Sequence, residues 1–144
     1  MDIRTTARVP DPAPPVAAYL ADCPPAVREG LLGLRTLVYQ VAAEDQRVGP
    51  LQETLKWGEP SYLTEVTRSG TTLRLAVKKS MPATYGLFFN CRTRLAERIT
   101  DFYPDTFMLD GTRGLLFSAG RNIPDEEVKA CISLVLTYRL GGLF

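Results

Sequence analysis

Histidine is missing from all 144 residues. Its absence excludes Ser-His-Asp and Cys-His nucleophile activation, imidazole acid–base chemistry, and the usual zinc and facial-triad metal sites. Carboxylates, lysines, tyrosines and thiols remain for chemistry. Cysteine is scarce: Cys23, Cys91 and Cys131 are odd in number and widely spaced. Neither a disulfide framework nor a CxxC metal site is therefore written here, and reduced thiols packed as small hydrophobes are expected. Cys91 has the best case for reactivity, because it precedes a predicted helix and stands beside Arg92, and helix N-termini and nearby cations lower a thiol pKa. No recognisable nucleophile motif occurs, so binding is expected rather than catalysis.

An excess of charge of one sign is missing too. Seventeen basic residues face 16 acidic ones, for a net charge of +1. A nonspecific nucleic-acid binder needs a basic footprint to displace counterions, so no nucleic-acid partner is expected. No apolar run approaches the roughly 18–20 residues that span a bilayer, and no membrane partner is expected. Met1 to Pro15 lacks the apolar core of a secretory signal, which makes a cytoplasmic location the expectation. What is present, 45% hydrophobic and 23% charged residues, matches an ordinary globular chain. A chain of this length is one domain on size and buries roughly 68–70% of its unfolded surface.

Pro10, Pro12, Pro14 and Pro15 mark residues 1–15 as a flexible, Pro-rich arm, leaving 16–144 as a single domain. Val16 to Ala21 reads as a short helix, closed before Pro24-Pro25. Val27, Leu31, Leu34, Val38 and Val41 then recur at spacings of 4, 3, 4 and 3, one apolar stripe of a long helix ending near Glu44. Leu51 to Lys56 reads as a helical turn leading into Trp57-Gly58. Strands are expected at Tyr62 to Val66, at Thr71 to Lys78 after a Ser69-Gly70 hairpin turn, and at Thr84 to Cys91. The last carries aromatics on both faces, the mark of a central strand. A helix over Arg92 to Tyr103 carries Leu95, Ile99 and Phe102. Two short strands follow, Thr106 to Leu109 and Gly114 to Ser118, joined at Asp110-Gly111-Thr112. The final helix starts at Ile123-Pro124-Asp125-Glu126-Glu127, carries Val128, Cys131, Ile132 and Val135 as its apolar stripe, and ends near Arg139 and Gly141-Gly142. The order implies an α+β fold, with an antiparallel or mixed sheet of about five strands and helices packed mainly on one face.

Two elements carry a family resemblance. Pro24-Pro25-Ala26-Val27-Arg28 with Leu34-Arg35 is one. Glu53-x-Leu55-Lys56-Trp57-Gly58-x-Pro60-x-Tyr62 is the other, followed by a lysine after a strand and a Gly-x-Phe-Phe strand. Over about residues 16–140 the chain resembles the YdhG-like family, domain of unknown function 1801. The resemblance implies a small α+β domain with an antiparallel sheet. Some members are described as frataxin-like intracellular iron chaperones, which implies Fe(II) as the one cofactor to consider. Where members often carry a histidine after the second strand, this chain has Lys78-Lys79-Ser80.

The leading candidate site is an aromatic and cationic cleft. Trp57 and Tyr62 flank a Gly-x-Pro turn, Arg74 and Lys78 share one face of a strand, and Phe88 and Asn90 share one face of the next. Converging, they would hold a small anionic or planar ligand, or a partner, by stacking and charge-assisted hydrogen bonds. The alternative is an iron chaperone using surface carboxylates, hard oxygen ligands that suit ferrous iron. Asp125, Glu126 and Glu127 are its candidate ligands, with Asp101, Asp105 and Asp110 near in sequence. Acids in a first helical turn equally complement the helix dipole. A homodimer through the proline-rich arm or the apolar end Leu140 to Phe144 is the remaining candidate partnership.

Overall fold

A computed structural model describes residues 9–143, without the side chain of Leu143. Residues 1–8 of the arm and Phe144 lie outside the described residues. The order is α1 (Pro14–Ala21), α2 (Pro25–Glu44), β1 (Gln52–Lys56), β2 (Glu59–Leu63), β3 (Leu73–Val77), β4 (Thr84–Phe88), α3 (Leu95–Phe102), β5 (Met108–Asp110), β6 (Gly114–Ser118) and α4 (Asp125–Leu136). A 3-10 helix, Tyr138–Leu143, follows α4. The strands form one sheet in the order β1-β2-β3-β4-β6-β5, and every pairing is antiparallel. The class is α+β, with six strands rather than about five.

The added strand is β1. Leu51 to Lys56 pairs as an extended edge along β2, from Gln52↔Leu63 to Lys56↔Glu59, rather than forming a helical turn. Its short run lacks a clear period, and an edge strand is decided by its neighbour more than by its own propensity. The β2 strand correspondingly begins at Glu59, earlier than expected. Ser69-Gly70 is not a hairpin turn either. It docks on the end of α4, where Thr71 N–H donates to the Val135 carbonyl at 3.1 Å and the Ser69 hydroxyl donates to the Leu136 carbonyl at 2.8 Å. These bonds satisfy carbonyls that a helix end leaves open. A side chain at Gly70 would run into the Leu136 backbone, so the close approach needs glycine.

Both long apolar stripes are buried as their spacing predicts. Val27, Leu31, Leu34, Val38 and Val41 of α2 and Val128, Cys131, Ile132 and Val135 of α4 sit in one core with Leu73, Leu75, Leu87 and Leu115 from the sheet. The α3 stripe stops short, because Phe102 is 66% exposed while Leu95 and Ile99 are buried. At the start of the chain the helix begins two residues inside the expected arm, with Pro14 and Pro15 in the first turn of α1, where proline's missing N–H costs nothing. Arg28 then closes the other end of α1. Its guanidinium donates to the carbonyls of Leu20 (2.8 Å), Ala21 (3.1 Å) and Cys23 (2.9 Å).

Under the helices lies a buried ion pair. Arg35 of α2 and Glu53 of β1 meet at 2.7 Å with 4% and 7% of their side chains exposed. A second Arg35 bond to Glu53 measures 3.1 Å. Glu53 also accepts from the Tyr62 hydroxyl at 2.7 Å and from Ala13 N–H at 2.9 Å. Burial alone pushes the Glu53 carboxyl up, but the bonds from Arg35, Ala13 and Tyr62 outweigh it and hold the group below its ordinary range. Burial and the Glu53 bond push the Tyr62 phenol the other way, far above its usual value.

Arg35→Met is expected to cost about 3–5 kcal/mol, because it strands a buried carboxylate without its partner; urea denaturation measures it. A carboxyl held low in the folded state stabilises fully above its unfolded pKa of about 4.3 and loses that contribution as pH falls through the folded value. Glu53→Gln should therefore show a shallower loss of stability than the parent between about pH 5 and pH 2.

Candidate functional site

The sheet has one face under helices and one without. Side chains alternate along a strand, so Leu73 and Leu75 enter the core while Arg74 and Ala76 face the open side. The register carries this across: Ser61↔Arg74, Arg74↔Phe88 and Ala76↔Gly86, Phe88↔Gly114, and Asp110↔Gly114. Gly86 and Gly114 leave the sheet bare beside Phe88, and its ring lies over both. A Cβ at Gly86 would come within 2.8 Å of the ring, and one at Gly114 would collide with it. Phe88 is consequently 7% exposed although no helix covers it.

Trp57 and Gly58 form the two-residue turn between β1 and β2, with φ of 53° and 73°. Two successive positive φ values are the signature of a type I′ hairpin, whose twist matches the strands. Gly58 takes this conformation freely, but a bulky side chain at Trp57 is an outlier and costs roughly 1–2 kcal/mol. Trp57 is nonetheless 85% exposed, so core packing does not offset the strain. Its ring stands 5.0 Å from the Arg74 guanidinium, which also lies 6.0 Å from the Phe88 ring. Arg74 is further held by Glu59 at 2.5 Å.

A cleft of about 380 Å³ opens beside this stack, walled by Trp57, Lys56, Arg74, Asn90, Cys91 and Arg113. A smaller hollow of about 190 Å³ adjoins it, sharing Arg74 and Arg113 and reaching Phe88, Lys78 and Asp110. Lys78 is bonded to Asp110 at 2.8 Å. Lys56, Lys79 and Arg113 are exposed, and among the described residues none of the three has an ion-pair partner. With Glu59 and Asp110 already committed, the surplus charge on this face is positive.

Of the residues that the sequence singles out, Trp57, Arg74, Lys78, Phe88 and Asn90 therefore meet on the open face. Tyr62 does not. It is fully buried on the helix side, bonded to Glu53 and set edge-on to Tyr39. Trp57 sits in the turn, so the residue five places on need not share its side. Asn90 also shapes the loop, its Oδ1 accepting from Arg92 N–H at 2.8 Å. Sequence reasoning missed Lys56 and Arg113. The Asp110-Gly111 turn is legible, but only the pairing of Phe88 with Gly114 sets Arg113 beside Asn90; Phe89 N–H donates to the Arg113 carbonyl at 2.8 Å.

Asp125, Glu126 and Glu127 occupy the first turn of α4. Among the described residues no group of three or more histidine, cysteine, aspartate or glutamate side chains stands close enough to hold a metal, so no ligand set for iron is assembled there. Cys23 and Cys131 are buried and Cys91 is exposed. Burial, then the charge of Glu127, pushes the Cys131 thiol up to about 12. Among the described residues no helix is long and apolar enough to cross a membrane. No family model, curated protein or solved structure matches the chain.

Trp57→Asn is expected to raise stability by about 0.5–1 kcal/mol. Asn-Gly is the preferred type I′ pair, and relief of roughly 1–2 kcal/mol of strain exceeds loss of an exposed cation–π contact worth about 0.5–1 kcal/mol. The midpoint of thermal or urea unfolding reads this directly.

Proposed function

We propose that the open face of the sheet binds a small planar anion in the cleft between Trp57 and Arg113. The observation that carries this reading is the tryptophan. An exposed indole held at a strained turn position, against an arginine, is a cost to folding with no return in packing. Strain of this kind gathers at ligand clamps. The indole offers a face for stacking, and Arg74 beneath it fixes the ring plane. Arg113 and Lys56 supply charge not already spent on a neighbouring carboxylate, and a guanidinium meets a carboxylate or phosphate through two parallel bonds.

The role is binding rather than catalysis. The cleft offers the Thr71 and Thr72 hydroxyls and the Cys91 thiol, but no imidazole or other evident base to activate them. The resemblance to the YdhG-like family supports the same fold class and adds no substrate. The residues that carry it are largely structural here, since Arg28 closes α1 while Arg35, Glu53 and Tyr62 build the buried network.

Trp57 is the sole tryptophan, so its fluorescence reports the cleft alone. Titration with aromatic carboxylates and nucleoside monophosphates is expected to quench it saturably, whereas neutral isosteres leave it unchanged. Arg113→Gln should weaken binding roughly 10- to 100-fold, the worth of a charge-assisted hydrogen bond. Bound ligand should also slow alkylation of Cys91, the exposed thiol at the cleft wall. If no planar anion changes either signal, the reading fails.

A further inference from the structure

A cavity larger than the Trp57 cleft lies away from the open face. It is a groove of about 680 Å³ between α2 and the loop that joins β6 to α4. Its α2 wall runs from Ala26 to Gln40, a span of roughly 21 Å at 1.5 Å per residue. Gly30 and Gly33 lie along that wall, and they differ in purpose. A Cβ at Gly30 would strike the end of the Tyr85 ring and stand 2.7 Å from its hydroxyl, whereas a Cβ at Gly33 would meet nothing within 4 Å. Gly30 thus makes way for a phenol arriving from β4, and Gly33 leaves the groove open.

Tyr85 is 2% exposed, and its hydroxyl forms no hydrogen bond with any described residue. Two other tyrosines contrast with it. The buried Tyr62 hydroxyl donates to Glu53, and the Tyr19 hydroxyl accepts from Val77 N–H. No fully buried side-chain polar atom among the described residues lacks a partner, so the unbonded Tyr85 hydroxyl is accessible, and it lines the groove, free to bond what enters there. Besides Thr36, whose hydroxyl donates to the Leu32 carbonyl at 3.1 Å, five more polar side chains line the groove: Glu29, Gln40, Arg121, Asn122 and Asp125. None of them is bonded through its side chain to another described residue.

We infer that this groove is a second ligand site, built for a neutral polyhydroxylated molecule of the sugar type, with the Tyr85 hydroxyl at its floor. The wall selects that class. Glu29 and Asp125 only accept hydrogen bonds, Arg121 only donates, and Gln40, Asn122 and Tyr85 do both. An anion meets two carboxylates, and a cation meets the guanidinium. A polyol presents donors and acceptors on every side and can bond all six without a charge of its own to desolvate. The groove volume falls within the range of small-molecule sites.

The test is a titration of the full chain with D-glucose, maltose and N,N′-diacetylchitobiose, followed by amide chemical shifts, with phosphate and glycylglycine as charged controls. A saccharide should shift the amides of Gly30, Gly33, Gly120 and Asn122 saturably while Trp57 fluorescence stays constant. Tyr85→Phe keeps the ring and removes only the unpaired hydroxyl; it should weaken binding roughly 2- to 12-fold with little change in thermal midpoint. Gly33→Leu fills open space and favours the helix, so it should abolish binding without lowering the midpoint. The inference is overturned if no saccharide shifts these amides, if a charged control binds there instead, or if both variants bind as the parent does. None of these outcomes bears on the Trp57 cleft, whose signal is separate.

Discussion

A buried ion pair ties the early chain to the sheet. Arg35 reaches down from α2, Glu53 reaches in from the edge strand β1, and Tyr62 of β2 and the backbone before α1 complete the shell. No fully buried side-chain polar atom among the described residues lacks a partner. Charges are expensive to bury, and the pair is tolerable only because every oxygen is bonded. That requirement constrains geometry. An edge strand slipped by one residue would turn Glu53 to the open face and leave Arg35 alone in the core. The network therefore specifies the register of β1 against β2, and with it the turn that carries Trp57.

The two faces of the sheet follow from that register. Helices cover one, so the tyrosines and leucines there are packing. The other is sealed by its own side chains: Phe88 spreads over two glycines, Arg74 lies against it, and Lys78 and Asp110 close one side. A sheet face without a covering helix usually turns polar residues to water. Here it presents an indole and unspent positive charge, the features on which the proposed anion site rests. The groove behind α2 has a different character, with mixed polarity and a phenol made accessible by one glycine. The two surfaces differ in chemistry: one wall is aromatic and cationic, and the other mixes two carboxylates, a guanidinium and two amides.

Elements with a strong period are legible in the chain itself. The stripes of α2 and α4 and the alternation of β3 need only 3.6- and 2-residue repeats, because burial enforces those periods along an element's own length. The Asp110-Gly111 turn is readable from local chemistry. The segments that fold otherwise than expected lack such a signal. β1 is an edge whose conformation depends on β2, and Ser69-Gly70 looks like a hairpin turn but serves as a cap for a helix far away in sequence. Tyr62 stands near Trp57 in sequence, which suggests a shared cleft. Its side is settled instead by the turn between them and by a carboxylate nine residues earlier.

By itself, then, the sequence determined the class of the fold, the helices and most strands, and the residue types from which a cleft could be made. It also removed imidazole chemistry, since an absent residue is absent in every fold. Tertiary structure decided which of those residues meet. Arg74 and Phe88 share a face by register, Arg113 arrives from the far end of a hairpin, and Tyr85 gains its cavity because a glycine on a separate helix lies above it. Such juxtapositions are long-range contacts, and the patterns that specify an element carry no information about which element its neighbour will be.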